Sequence, residues 1–71
     1  MDVEVVKFER WRVRFELTSR KLGLTTVRAV YQGKVVGSMA LPGDPAPLAA
    51  TFREQARCPA DVMMLAMGMA A

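Results

Sequence analysis

At 71 residues the chain has room for one domain, residues 1–71, close to the lower size limit for a self-sufficient core. Its 52% hydrophobic content argues against disorder, its single cysteine excludes an internal disulfide, and the absence of histidine leaves no plausible zinc ligand set. The net charge of +3 is unevenly placed: residues 1–42 hold eight basic and four acidic residues, a net of +4, while residues 43–71 sum to −1.

The chain opens with "VEVVKFERWRVRFELTSR", in which Trp11, Val13, Phe15 and Leu17 are odd and Arg10, Arg12, Arg14, Glu16 and Thr18 even. Period two is the strand signature, because successive side chains leave opposite faces of the pleat. Val6 and Phe8 are apolar at even positions, so the phase flips near Glu9. A bulge, or a separate short lead-in strand, repairs such a flip; the favoured expectation is one bulged strand from about Val3 to Thr18. Its odd side chains should face the core and its arginines the solvent.

"SRKLG" reads as a loop with Arg20 and Lys21 at its tip, and "LTTVRAVY" as a β-branched second strand. "QG" at 32–33 suits a two-residue hairpin turn, with "KVVGSMAL" returning and Tyr31 opposite Lys34 and Val30 opposite Val35. On that register Leu24, Val30, Val35, Met39 and Leu41 share one face, and Val27, Ala29, Tyr31 and Val36 the other. Pattern alone does not decide which is buried.

"LPGDPAP" ends the sheet. Asp44 is placed as an N-cap whose carboxylate accepts backbone N–H groups, and Pro45 suits the first helical position. Leu48, Phe52 and Ala56 form an apolar stripe, "CP" at 58–59 breaks the helix, and Pro59 opens a second one with Asp61 in its first turn. The expected fold is α+β: a three-stranded antiparallel sheet followed by two C-terminal helices packed on one face, in the order β-β-β-α-α.

No chemistry is spelled out. Ser–His and Cys–His nucleophiles need a histidine, no phosphate-binding glycine loop or dinucleotide fingerprint is present, and a chain this small has little depth for a substrate pocket. The expectation is a non-enzyme without cofactor or metal. Cys58 is more simply a small residue in a helix–helix bend than a reactive thiol. No signal peptide is evident, and the longest apolar run, "VMMLAMGMAA" at 62–71, is about half a membrane span; the expected location is the cytoplasm.

Two features point to partners. Arg10, Arg12 and Arg14 concentrate forked guanidinium donors that suit carboxylates or phosphates, and Arg20, Lys21, Arg28 and Lys34 would join them if they share a face. The plain alternative is the wet side of a half-buried strand. In the tail, Val62, Leu65, Ala66 and Met69 fit one helical stripe, while Met63, Met64 and Met67 lie on other sides. Packing into the monomer's own core is the first reading, and a homodimer contact or partner groove through this C-terminal helix the second.

"VYQGKVVGSMALPGDPAPLAATFREQAR", residues 30–57, with its tight Gly-Lys hairpin, "GDP" cap and alanine-rich helix, resembles the small phage-encoded anti-CRISPR proteins. That resemblance covers under half the chain and carries over no functional residue. It implies a non-enzymatic inhibitor or adaptor that binds an effector complex, with or without bound nucleic acid, or its nuclease, and blocks target recognition or recruitment. Many such inhibitors are acidic, whereas this chain is basic and would seek an acidic patch. A three-stranded sheet followed by a helix is also similar to the arm-type DNA-binding domains of phage integrases. On that reading Arg12, Arg14 and Arg28 reach guanines or phosphates, and Trp11 or Tyr31 stacks on an unpaired base. Against it stand the modest net charge and the four acids in the same half.

Overall fold

The phase flip at Glu9 is a chain reversal. In the computed structural model, which describes residues 3–21 and 23–70, β1 (Glu4–Arg10) and β2 (Val13–Lys21) are antiparallel partners joined by Trp11 and Arg12 alone. A two-residue turn sets even positions of one strand opposite odd positions of the next. Val6 therefore lies opposite Leu17, and Phe8 opposite Phe15. The single bulged strand expected from Val3 to Thr18 is thus two strands, and the sheet has four strands rather than three. Trp11 and Arg12 both take positive φ, 55° and 64°, as primed hairpin turns require and bulky residues rarely adopt.

β3 (Leu24–Tyr31) follows, and the turn at Gln32–Gly33 pairs Tyr31 with Lys34 and Val30 with Val35 on β4 (Lys34–Pro42), as the sequence predicts. The register then shifts: Ala29 lies opposite Gly37, so Val36 is an extra residue in β4. Because one inserted residue exchanges the faces of everything after it, Met39 and Leu41 join Val27 and Ala29. They do not share the Val30–Val35 face, as unbroken alternation would have it. The strand order is β1-β2-β3-β4, an antiparallel meander. Part of "SRKLG" is strand, since β2 runs to Lys21, which pairs with Leu24; Leu22 lies outside the described residues.

One face of the sheet is covered by α1 (Pro45–Gln55), which packs on β1 and β2, and α2 (Pro59–Ala70), which packs on β4. The core joins Val13, Phe15, Leu17, Val27, Ala29 and Leu41 to Leu48, Phe52, Ala56, Val62 and Ala66. The Leu48–Phe52–Ala56 stripe is buried as its spacing predicts. Phe15 is fully buried, stacked on Phe8 at 5.0 Å and met edge-on by Trp11 at 6.5 Å. Burying a side chain of this size stabilises the fold by roughly 1.5–3 kcal/mol.

The polar groups near the core are matched. Thr25, fully buried, donates its hydroxyl to the Gly43 carbonyl at 2.7 Å, and Ser19 Oγ lies within bonding distance of the Lys21 and Leu24 carbonyls. Gly43 is held at φ 118°, and a Cβ there would meet Leu48 at 3.3 Å, so the strand-to-helix corner calls for glycine. Asp44 does occupy the N-cap position of α1, but its side chain makes no cap hydrogen bond. Pro47 stands at the third helical position, where the usual N–H partner is missing. At α2, Asp61 accepts a hydrogen bond from the Arg57 backbone N–H at 2.9 Å and ties the two helices' junction together. No helix among the described residues is long and apolar enough to cross a membrane.

Candidate partner-binding site

The strand pairings place the cations expected to form one binding row. Arg10, Arg12 and Arg14 do not share a face, because the turn at Trp11–Arg12 interrupts the alternation that would have aligned them. Arg10 ends β1, donates from a guanidinium nitrogen to the Arg53 carbonyl at 2.7 Å, and lies 4.6 Å from the Trp11 ring centroid. Arg12 is the exposed second residue of the turn. Arg14 alone lies on the open sheet face, its Nε 2.9 Å from Glu16 Oε2. Trp11 is half-buried against Phe15 beneath Arg10, which takes it out of consideration as a base-stacking platform.

Across the open face, charges of both signs interleave. One register line reads Glu9, Arg14, Val30 and Val35; the next reads Lys7, Glu16, Arg28 and Ser38. Glu16 thus has a cation opposite it on each neighbouring strand and a third, Arg14, on its own. Opposite charges facing each other across strands stabilise the sheet modestly, and they dilute the positive field the composition suggested.

The remaining cations separate by their position along the strands. Lys34 starts β4 beside the Gln32–Gly33 turn, at the same end of the sheet as Arg10 and Arg12. Arg20 and Lys21 end β2 at the opposite end, and Arg28 faces the same way from the middle of β3, opposite Glu16. These three, with Thr18, Leu24 and Thr26, line a shallow cavity of about 280 Å³ on the open face. Arg20, Lys21 and Arg28 are exposed, and no acid lines this cavity among the described residues. Thr18 and Thr26 pair directly across β2 and β3, adding two hydroxyls beside the three cations. Neither threonine stands out in the sequence, because their proximity depends on the β2–β3 register.

A cluster of this composition can bind carboxylates or other oxyanions by charge-assisted hydrogen bonds from Arg and Lys, with the hydroxyls as directional partners. A second, more open depression runs between β1 and α1, lined by Lys7, Glu9, Arg10, Arg53 and Glu54 among others, and mixes both signs of charge. Of the three methionines singled out in the tail, Met63 is half-buried and packs toward Gly37 of β4, whereas Met64 and Met67 are exposed. Cys58 lies exposed in the bend between the helices. Comparison with protein-family models, curated proteins and solved structures finds no match for this chain.

Proposed function

We propose that this chain is a non-enzymatic protein-binding module, an inhibitor or adaptor of the anti-CRISPR kind, that works in the cytoplasm. It engages an acidic surface of its partner through Arg20, Lys21 and Arg28 and occludes that partner's own recognition or recruitment surface. The observation that carries this reading is the cluster itself: three exposed cations and two hydroxyls around one shallow cavity, with no acid lining it among the described residues. Arg10 and Arg14, by contrast, are occupied within the chain.

A protein partner suits this surface better than a nucleic-acid backbone. A duplex presents an unbroken line of phosphates, and a binder needs several cations in register with it. Here Glu9 and Glu16 interrupt the open face on which such a backbone would lie. A folded protein offers carboxylates in patches, and a corner with three cations matches a patch.

The test uses the full chain and an Arg20→Glu/Lys21→Glu variant as baits against the same host lysate, with unfolding curves recorded for both. The expected result is a protein retained by the original chain, released by salt and lost with the variant, whose stability is unchanged. In parallel, mixed-sequence duplex and single strands are titrated at about 50 mM salt and above. Tight binding there, weakening steeply with salt, would install the nucleic-acid module in place of this reading.

A further inference from the structure

We propose that two copies of this chain pair along the free edge of β4, antiparallel about a two-fold axis at Met39, to make one continuous sheet with both α2 helices on the same side. The inference stands on the sheet's edges and is independent of the basic cluster.

β1 and β4 are the two edges of the sheet, and both leave main-chain N–H and C=O groups unpaired. β1 carries Glu4, Lys7, Glu9 and Arg10, the charges that ordinarily discourage edge pairing. β4 has no charged residue after Lys34, and the next in sequence is Asp44. The direction of its open groups follows from one bond. The Gly43 N–H donates to the Gly23 carbonyl at 2.9 Å, toward β3. Antiparallel alternation then turns Leu41 and Met39 toward β3 and aims the N–H groups of Ala40 and Ser38 outward. Pro42 falls on the outward-facing set, where lacking a donor removes nothing from the β3 ladder.

A second copy of this chain is the strand that fits. Antiparallel self-pairing about Met39 sets Ser38 opposite Ala40 of the second copy and the reverse, giving about four main-chain hydrogen bonds. Beyond that paired stretch, the same axis brings the Lys34 end of one β4 toward the Asp44 end of the other, twice over, so each end of the seam carries opposite charges. Both residues are exposed, Asp44 makes no cap bond within its own chain, and neither takes part in an ion pair among the described residues. Above the seam, α2 packs on β4 with Met63 over Gly37. Met67, one helical turn further along that flank, is 56% exposed and Met64 beside it 63%. The axis sets these apolar side chains against their counterparts, where methionine adapts readily to an imperfect fit. The bulge at Val36 and Pro42 confine strand pairing to the middle of β4, so the methionine contact is a necessary part of the interface.

Sedimentation velocity from about 1 µM to about 1 mM tests this, with circular dichroism checking that each variant is folded. The original chain is expected to dimerise with rising concentration, and the amides of Ser38 and Ala40 to exchange more slowly as it does. Lys34→Glu should weaken the dimer at least about tenfold, Lys34→Glu combined with Asp44→Lys should restore it, and Met64→Glu/Met67→Glu should leave monomer. A chain that stays monomeric throughout overturns the proposal. So does a dimer that loses stability with the methionines but ignores Lys34→Glu, since that contact would rest on α2 alone.

Discussion

The two ends of the sheet carry comparable positive charge and use it differently. At the end formed by the Trp11–Arg12 and Gln32–Gly33 turns, Arg10 bonds the α1 backbone and covers Trp11, whose edge meets Phe15. At the opposite end Arg20 and Lys21 extend from β2 and, with Arg28 of mid-β3, face solvent around a shallow cavity. At the first end Arg10 is engaged within the fold, whereas at the second Arg20 and Lys21 stay exposed to solvent. A guanidinium's role is therefore set by which acceptors and rings lie within its reach, and counting cations along the chain does not reveal it.

This contrast can be broken first at its centre. Phe15→Ala removes the ring between Phe8 and Trp11 and should destabilise the domain by about 3–5 kcal/mol, read from denaturant unfolding. A loss under about 1 kcal/mol would mean that the aromatic stack is not what anchors the first hairpin. Arg10→Ala should follow at roughly 1 kcal/mol, the combined worth of an exposed hydrogen bond from a charged donor and a surface cation–π contact. If unfolding curves overlay, Arg10 is as free as Arg20 and the two ends are alike.

A change of opposite sign sharpens the picture. Arg12→Gly should stabilise by about 0.5–1 kcal/mol, because Arg12 is held at φ 64° and glycine adopts that conformation without steric penalty. A melting temperature that falls instead would assign Arg12 a contact worth more than its backbone strain. The smallest effect on stability belongs to the far end. Arg20→Glu with Lys21→Glu should move unfolding by no more than about 0.5 kcal/mol while removing partner capture. Marked destabilisation there would turn the open cluster into another structural one.

Much of the architecture could be read from residues alone. The Gln32–Gly33 hairpin, the start of α1 at Pro45, its buried stripe and the break at Pro59 each follow from a local rule that nothing distant opposed. The first turn escaped because Trp-Arg lacks the glycine or asparagine that primed turns favour. Its only trace was the phase flip at Glu9, which a bulge explains equally well. The inserted residue at Val36 was hidden for a related reason: Val35, Val36 and Gly37 follow one another with no polar side chain to mark a change of face.

The candidate binding residues were legible as a set and illegible as a site. Arg20, Lys21 and Arg28 stand out by charge, but so do Arg10, Arg12, Arg14 and Lys34, and sequence spacing places the wrong three together. Thr18 and Thr26 become neighbours only through the β2–β3 register.

By itself the amino-acid order determined an α+β domain with inward Phe15, Leu17 and Phe52 and a positively charged first half, since alternation, helix caps and composition are local quantities. Tertiary structure alone decided which arginines are engaged and which are open. That outcome depends on turn geometry and strand register, where one residue more or less carries every following side chain to the other face.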